Sequence, residues 1–237
     1  MKEGSKMIRQ VLKNSNLKLT EQMIENFEKY AEMLIEWNEK VNLTAITEPR
    51  SIAIKHFLDS LLTLLAYDTP LEAKVIDVGT GAGFPGVPIK IARPDIQLTL
   101  LDSLKKRTCF LESLTSALNV KASIIHARAE DVARKEAFRE SFDVVVSRAV
   151  APLNVLLEYC LPFVKVNGVF LALKGSKAQF EFEQSINALK LLKGEIIDIK
   201  RFNLLDGEER NIIVIKKIAK NEKAYPRSSA KIKRLPL

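Results

Sequence analysis

The chain has 237 residues with 47% hydrophobic and 28% charged content and a net charge of +8, as expected of a globular protein of one large domain or a core domain with an appendage. Cys109 and Cys160 lie far apart in apolar surroundings, which favours reduced core thiols over a disulfide or a zinc site. No uncharged run approaches the roughly 20 residues of a membrane span, and the N-terminus lacks the apolar segment of a signal peptide, so we expect a soluble, cytoplasmic protein.

Helical periodicity dominates the first 70 residues. Apolar residues from Met23 to Val41 recur at steps of three and four, which predicts an amphipathic helix over residues 20–40. A second helix is predicted to begin with Thr47 as N-cap and Pro49 in its first turn, and to end at residues 68–70. We interpret residues 1–70 as an N-terminal helical cap.

From Lys74 onward, short apolar runs alternate with segments of helical length. This alternation predicts a mostly parallel sheet covered by helices on both faces. The predicted strands are 74–78, 96–102, 122–126, 142–147, 168–174, 194–200 and 210–217.

The last two predicted strands are too close together for a parallel crossover, so they should form an antiparallel hairpin through Asp206 and Gly207. A final reversed strand is typical of S-adenosylmethionine (AdoMet) methyltransferases, whereas the six-stranded dinucleotide fold is parallel throughout. We therefore predict an α/β, Rossmann-like class I methyltransferase domain over residues 71–218. Its seven-stranded, mostly parallel sheet ends in an antiparallel strand and carries an N-terminal helical extension.

The glycine-rich segment VIDVGTGAGFPG (75–86) is the chief chemical signal. A strand that runs through small residues into a helix brings bare backbone close to a ligand, which a Cβ would block. The GAGFPG part matches the dinucleotide pattern, but Asp77 followed by Gly79, Gly81 and Gly83 on alternate positions favours an AdoMet loop. In such a loop the Asp77 side chain holds either the loop itself or the sulfonium end of the cofactor. A merely structural turn is the third interpretation.

Polar residues follow the next strands at the edge where ligands of open α/β sheets bind. Asp102 suits the vicinal diol of a ribose, or alternatively caps the helix that starts near Ser103. Ala129 and Glu130 follow the third strand, where a backbone N–H and a carboxylate can contact adenine, unless Glu130 is an exposed residue of a helix start.

Two bases, Arg148 and Lys174, close the fourth and fifth strands, where they contact RNA phosphate or bases or are merely surface charges. His56 and Asp59 lie one helical turn apart and are interpreted mainly as packing residues able to hydrogen-bond to each other. Residues 105–107, all basic, are interpreted as the solvated face of a helix.

The C-terminal region is strongly basic, since residues 216–237 hold eight Lys and Arg residues and one Glu. Such a segment either attracts nucleic-acid phosphates or is a solvated, frayed terminus. We interpret residues 219–237 as a basic C-terminal tail.

Seven motifs, in this order and spacing, resemble those of the bacterial glucose-inhibited division protein B family. They are KHFLDS, IDVGTGAGFPG, LLDSLKKR, RAED, VVSRAVAPL, LALKG and DGEERNIIVIKK. The resemblance extends from residue 37 to residue 227. Members of that family are AdoMet-dependent methyltransferases that act on N7 of a guanine in the 530 loop of 16S rRNA, guanine 527.

The resemblance implies AdoMet contacts at Gly79, Phe84, Asp102, Ala129, Glu130 and Arg148. The neighbouring Asp77, Gly81, Gly83, Ser103 and Leu104 complete the set of cofactor-binding candidates. Arg148 and Lys174 are the catalytic candidates, and no metal ligand is expected.

Guanine N7 carries a lone pair and no proton, so methyl transfer needs positioning rather than a general base. The expected partner is 16S rRNA in the small ribosomal subunit, and we expect a monomer. Two alternatives stay open on the residues alone. An NAD(P)-dependent oxidoreductase is suggested by GAGFPG with Asp102, and a non-catalytic ribosome-binding protein is suggested by the basic tail.

Overall fold

The computed structural model describes residues 3–15, 17–148 and 151–237, so Ala149 and Val150 of the VVSRAVAPL motif lie outside the described residues. The helices are α1 Glu3–Lys13, α2 Glu21–Val41, α3 Pro49–Ile52, α4 Asp59–Ala66, α5 Gly86–Ala92, α6 Lys105–Ala117, α7 Ala129–Val132, α8 Leu153–Cys160, α9 Ala178–Glu183, α10 Ile186–Leu191 and α11 Ser229–Arg234. The strands are β1 Lys74–Val78, β2 Gln97–Asp102, β3 Ala122–His126, β4 Phe142–Arg148, β5 Val164–Lys174, β6 Gly194–Asn203 and β7 Glu209–Lys217. A π-helical stretch, Ala53–Leu58, joins α3 to α4, and a 3-10 turn, Leu161–Phe163, follows α8.

The long helix α2 confirms the predicted helix over residues 20–40. The Thr20 side chain caps it by accepting from the backbone N–H of Met23 at 3.3 Å, and Asn42 ends it in the left-handed region at φ 49°. Helix α1 was not predicted. Arg9 of α1 forms ion pairs with Glu21 and Glu28 of α2. Helical periodicity within one segment does not reveal such a contact between two helices.

The second predicted helix begins one residue later than expected. Glu48, and not Thr47, is its N-cap, because the Glu48 carboxylate accepts from the backbone N–H groups of Arg50 and Ser51 at 2.9 and 2.6 Å. Pro49 is the first helical residue, where its missing N–H costs no hydrogen bond. The helical run ends at Ala66, just before residues 68–70, as predicted.

The seven strands form one sheet in the order β3-β2-β1-β4-β5-β7-β6. Strands β1 to β5 are parallel to one another, and β7 runs antiparallel to both β5 and β6. This confirms the predicted fold class and its reversed last strand. Because β2 and β4 leave β1 in opposite directions, the carboxyl end of β1 lies at the point where ligands bind in open α/β sheets.

The predicted β6–β7 hairpin is also confirmed. Leu204 donates its backbone N–H to the Glu208 carbonyl at 2.9 Å, and Gly207 occupies the left-handed region at φ 85°. That conformation is inexpensive only for glycine, which explains the Asp-Gly turn.

Alternate residues of each central strand enter two separate hydrophobic cores. In β4, Val144 and Val146 belong to the core under the N-terminal helices, α5 and α6, whereas Val145 belongs to the opposite core with α8, α10 and α11. The first core joins α1 and α2 to the sheet without interruption. The division into 1–70, 71–218 and 219–237 as separate units stays a prediction.

A buried hydrogen bond attaches the helical layer to the glycine-rich loop. Tyr30 of α2 is fully buried, donates its hydroxyl to the Ala82 carbonyl at 2.5 Å, and stacks on Phe84 with ring centroids 5.1 Å apart. The N-terminal helices therefore determine the position of the loop as well as filling the core.

We expect Tyr30→Phe to lower the free energy of unfolding by about 1–3 kcal/mol, because the buried Ala82 carbonyl loses its donor. Urea unfolding at constant m-value measures this change. The control is Tyr67→Phe, at a half-buried tyrosine, for which we expect a change within about 0.5 kcal/mol. Equal stabilities of the two variants would contradict the structural importance of the Tyr30 bond.

Candidate active site

The loop between β1 and α5 has three glycines in conformations that other residues rarely adopt. Gly79, Gly81 and Gly83 have φ angles of 72°, 61° and 98°. A Cβ on Gly83 would lie 2.6 Å from the Tyr30 hydroxyl oxygen, whereas a Cβ on Gly81 would meet no atom within 4 Å. Gly83 is thus required by packing, and Gly81 presents bare backbone to open space.

Asp77 lies beneath this loop and holds it in shape. Its Oδ2 accepts from the Thr80 hydroxyl at 2.7 Å and from the Gly86 backbone N–H at 2.8 Å. Its Oδ1 is buried and has no hydrogen-bond partner among the described residues. Burial raises the pKa of Asp77 to about 7, while the bonds from Thr80 and Gly86 oppose that rise. Of the two roles considered for this residue, the contacts support the one of holding the loop.

Asp102 ends β2 beside the loop and is only 3% exposed. Its Oδ2 accepts from the Gly81 backbone N–H at 2.9 Å, and its Oδ1 accepts from the Leu104 backbone N–H at 2.9 Å. Helix α6 starts at Lys105 after Leu104 as N-cap, so Asp102 precedes the cap and does not itself serve as one. Arg107 lies 3.4 Å from Oδ2, which corrects its interpretation as a purely solvated residue.

Three cavities lie along the carboxyl edge of the sheet. Cavity A, of about 490 Å³, is lined by Val78, Gly79, Leu101, Asp102, Ser103, Ala127, Arg128, Ala129, Glu130, Ala151, Pro152, Val155, Tyr159, Ser229, Lys233 and Pro236. Cavity B, of about 510 Å³, is lined by Leu43, Thr44, His56, Gly79, Thr80, Gly81, Ala82, Phe84, Asp102, Ser103, Leu104, Arg107, Arg128 and Arg148. Cavity C, of about 530 Å³, is lined by Ile46, Lys55, His56, Asp59, Arg148, Ala151, Pro152, Leu173, Lys174, Gly175, Glu181 and Arg210.

The three cavities adjoin one another and share walls, and together they are called the cleft. Gly79 and Asp102 border both A and B, while His56 and Arg148 border both B and C. Every predicted cofactor-binding residue lines this cleft except Asp77 and Gly83, which support the loop from beneath. Their assignment to the cofactor stays a prediction.

The structure decides between the two interpretations of Glu130, a cavity-lining residue or an exposed residue at a helix start. It stands in the first turn of α7, but it is only 8% exposed and lines cavity A. The alternative of a solvent-exposed helix-start glutamate is therefore wrong.

Arg148 is held by contacts on three sides where cavities B and C meet. Its guanidinium donates to the Asp59 Oδ2 at 2.8 Å and to the Lys55 carbonyl at 3.0 Å, and its Nη2 lies 3.1 Å from the His56 Nδ1. Its Cζ also lies 4.9 Å from the centroid of the Phe84 ring. Arg148 is consequently a paired, half-enclosed cation and not a free surface charge.

His56 is neutral in this arrangement. Burial and the neighbouring Arg148 charge lower the pKa of His56 to about 3. Since arginine only donates, Nδ1 accepts from Arg148, so the ring proton sits on Nε2 and is donated to the Thr44 hydroxyl 2.9 Å away. The ring stacks on Phe84 at a centroid distance of 4.4 Å.

In place of the hydrogen bond that their spacing allows, His56 and Asp59 share a contact with Arg148. The π-helical stretch Ala53–Leu58 changes the angular spacing of the residues ahead of Asp59, and a period of 3.6 does not reveal it. Both residues line the cleft, so packing alone does not account for them. The signal in the sequence was the presence of His56 and Asp59 among the large apolar residues of this helical run.

Lys174 closes β5 and holds a neighbouring segment in place. Its Nζ donates to the Ala151 carbonyl at 2.6 Å and pairs with Glu181 Oε2 at 2.7 Å. The same Glu181 oxygen accepts from the Leu153 backbone N–H at 2.8 Å. Lys174 is 8% exposed, so the interpretation as a free phosphate-binding charge is weakened by its pairing.

The family profile described as GidB, rRNA small subunit methyltransferase G, matches residues 23–217. The chain is 51% identical over 216 residues to ribosomal RNA small subunit methyltransferase G of Thermoanaerobacter sp. (strain X514), with 90% of each chain covered. It is 47% identical over 229 residues to the same enzyme of Geobacillus sp. (strain WCH70), with 96% of each covered. The chain belongs to the rRNA small subunit methyltransferase G family.

Membership in the rRNA small subunit methyltransferase G family confirms the predicted resemblance, since GidB is the abbreviation of the family named above. It also confirms that the protein is an enzyme, an AdoMet-dependent methyltransferase. The oxidoreductase and the non-catalytic binding protein, the two alternatives left open by the sequence, are therefore wrong.

Solved structures agree on the fold. TYW2 from M. jannaschii, in complex with AdoMet, matches with a TM-score of 0.52 at 14% identity, covering 86% of this chain and 80% of that one. Precorrin-6y C5,15-methyltransferase from Geobacter metallireducens GS-15 matches with a TM-score of 0.50 at 12% identity, covering 67% and 87%. At such identities the likeness shows the Rossmann-like fold alone.

Two kinds of structure are absent from the part of the chain that the structure describes. None of its helices has both the length and the apolar character needed to cross a membrane. Within the same residues, no three His, Cys, Asp or Glu side chains are grouped so as to hold a metal ion.

We expect Asp77 to make stability fall as pH rises from about 4 to about 7. The pKa of Asp77 is about 7 in the folded protein and near its ordinary value of 3.8 when unfolded. In that window the folded state binds a proton that the unfolded state does not, so this stabilisation is complete below about pH 4 and is lost through about pH 7. Urea unfolding across this range should show a smaller decline for Asp77→Asn than for the wild type.

The control for this experiment is Asp95→Asn. Bonds from Arg93 lower the pKa of Asp95 to about 2, so its contribution changes only below about pH 4. Asp95→Asn should therefore keep the wild-type slope between pH 4 and 7. Parallel profiles for all three proteins would show that Asp77 does not titrate as described.

Proposed function

We propose that the protein methylates N7 of guanine 527, in the 530 loop of 16S rRNA, within the small ribosomal subunit of the bacterial cytoplasm. The proposal rests on one observation: cavity B at the glycine-rich loop adjoins cavity C, with which it shares His56 and Arg148, and the volume of cavity C, about 530 Å³, suits a flipped-out base. We further propose that the enzyme acts as a monomer and that its basic tail attracts rRNA phosphates.

The residues of cavities A and B fit AdoMet. The space beside Gly81, which a side chain would fill, suits a ligand in contact with backbone. We assign the ribose to Asp102, the adenine to Ala129 and Glu130 in cavity A, and the methionine end to the Gly79–Gly81 backbone and Phe84 in cavity B. Ser103 and Leu104 extend the wall beside Asp102.

When bound, AdoMet would supply an electrophilic methyl group: the lone pair of guanine N7 would displace it, the S–CH3 bond would break to leave the neutral thioether, and no proton would have to be removed. The protein accordingly needs no general base. His56 is neutral and already engaged with Arg148 and Thr44. The residues instead position the reactants and exclude water, contributions worth about 7–11 kcal/mol when the geometry is well aligned.

Cavity C has the mixture of charges that a guanine requires. The donor groups of Arg148 and Arg210 suit the O6 acceptor, and the carboxylates of Asp59 and Glu181 suit the N1 and N2 donors. The two acids also offset the positive charge that guanine gains on N7 methylation. Lys174 acts mainly by holding the segment at Ala151, as a positioning residue.

We expect cells that lack this protein to lose N7-methylguanine at position 527, as mapped by borohydride and aniline cleavage of 16S rRNA. The wild-type gene should restore cleavage. Asp102→Ala should not, because the carboxylate assigned to the ribose is lost. Asp198→Ala, at an exposed carboxylate on β6, should restore cleavage fully. Restoration by Asp102→Ala would contradict the assignment of the ribose.

We expect Arg148→Lys to lower kcat at least about tenfold, or about 1.4 kcal/mol in activation free energy. A lysine cannot reach the Asp59 carboxylate, the His56 ring and the Lys55 carbonyl together, since it lacks the planar fork of arginine. Methylation kinetics with small subunits measure kcat, and calorimetry measures the Kd for AdoMet. The control is Arg201→Lys, at an exposed arginine on β6. A wild-type kcat in Arg148→Lys would contradict a role for Arg148 in methylation.

A further inference from the structure

The C-terminal segment is folded against the methyltransferase core and is not a frayed terminus. Residues 229–234 form α11, and Ile232 is fully buried in the second hydrophobic core. Tyr225 and Leu237, at either end of the segment, pack partly against the same core. The alternative of a solvated, frayed tail is therefore wrong.

Two guanidinium groups fix the course of the chain before α11. Glu158 of α8 is fully buried and accepts from the Arg227 backbone N–H at 2.7 Å and from its Nε and Nη2 at 2.8 and 2.6 Å. Arg139 donates to the carbonyls of Tyr225 and Glu222 at 2.8 and 3.0 Å. The backbone that leads into α11 thus has a defined position.

Some basic residues of the C-terminal region are bonded to other parts of the protein and stabilise the fold. Lys217 is fully buried, donates to the Leu161 carbonyl at 2.7 Å and lies 3.3 Å from Glu140. Arg227 is neutralised by Glu158. The exposed bases that remain, Lys220, Lys223, Lys231, Lys233 and Arg234, are the ones available to an external anion.

One side of α11 faces cavity A. Ser229, Lys233 and Pro236 line this cavity, as do Asp102 and Glu130. The Ser229 hydroxyl lies 3.1 Å from the Tyr159 hydroxyl, which joins the segment to the adjoining wall on α8. Three of the last nine residues therefore line the cavity assigned to the nucleoside.

We propose that residues 229–236 complete the AdoMet site by forming the wall of its nucleoside half, with Ser229 and Lys233 as positioning residues. The inference rests on the assignment of cavity A to adenosine made above. It implies that the C-terminal segment sets cofactor affinity in addition to attracting rRNA. Lys231 and Arg234 are exposed on the same helix, so one short helix supplies the cofactor wall and two bases for phosphate contact.

Two variants distinguish the role in cofactor binding from the role in rRNA binding. One is a deletion of residues 229–237, and the other loses only positive charge. The charge variant is Lys231→Ala with Arg234→Ala, which keeps Ser229, Lys233 and Pro236 in the cavity wall. Calorimetry on each purified protein gives the Kd for AdoMet and for 5′-methylthioadenosine. Binding of a 16S rRNA fragment over a range of salt concentrations gives the number of phosphate contacts.

We expect the deletion to weaken AdoMet and 5′-methylthioadenosine by the same factor, at least about tenfold or about 1.4 kcal/mol, because the lost wall faces the nucleoside that both share. The charge variant should keep both nucleoside affinities within about twofold, while its rRNA binding becomes less dependent on salt. A folded deletion variant with wild-type AdoMet affinity would overturn the proposal, as would an effect on AdoMet alone.

A second variant keeps the proposal testable if the deletion does not fold. Ser229→Ala with Lys233→Ala changes the lining of cavity A and leaves the anchor at Arg227 and Glu158 in place, and it should raise the Kd for AdoMet at least about threefold. An unchanged Kd in this variant overturns the proposal. If the full-length protein itself fails to bind AdoMet, the assignment of cavity A falls and the inference falls with it. If the full-length protein binds AdoMet and the variants bind it equally well, only the role of the C-terminal segment is overturned.

Discussion

The cleft at the carboxyl edge of the sheet depends on one buried carboxylate. Asp77 places a single oxygen between the Thr80 hydroxyl and the Gly86 backbone N–H, and so closes the glycine-rich loop on itself. This closure sets the positive φ angles that turn the Gly81 backbone N–H toward Asp102. Two acids on neighbouring strands thus hold the loop, one from beneath and one from the side. This arrangement leaves the buried Oδ1 of Asp77 without a hydrogen-bond partner among the described residues and raises the pKa of Asp77. Such unfavourable features are typical of binding sites, where a particular loop conformation is required.

The N-terminal helices belong to the same machinery as the sheet. Tyr30 fastens α2 to the loop through Ala82, and the helical run that begins with α3 contributes His56 and Asp59 to Arg148 at the end of β4. Phe84 lies between these contacts, stacked on both Tyr30 and His56. Movement of the helical layer therefore disturbs both the loop and the arginine. This explains why a segment outside the Rossmann-like fold carries residues that line the cleft.

The sequence predicted the sheet well because its signals are local. Short apolar runs, the Asp206-Gly207 turn and the glycine-rich loop each follow from neighbouring residues, and the strands and hairpin appear as expected. What depends on contacts between distant residues was missed. Helix α1 is held by Arg9 pairing across to α2, Arg148 and Lys174 are ion-paired by residues from other elements, and the tail is anchored by the buried Glu158. A basic residue at a strand end or chain terminus has no visible partner in the sequence, because the acid with which it forms an ion pair lies far along the chain.

The same pairing shapes the electrostatics of methyl transfer. A guanine methylated at N7 is a cation, and it would be disfavoured in a cleft of unbalanced positive charge. Asp59 contacts both Arg148 and Arg210, at 2.8 and 3.2 Å, and Glu181 pairs with Lys174, so these two acids offset part of the positive charge that lines cavity C. The low pKa of His56 adds to this balance, since its ring stays neutral at physiological pH beside Arg148. Under the proposed function, these acids offset part of the positive charge that guanine would gain on methylation.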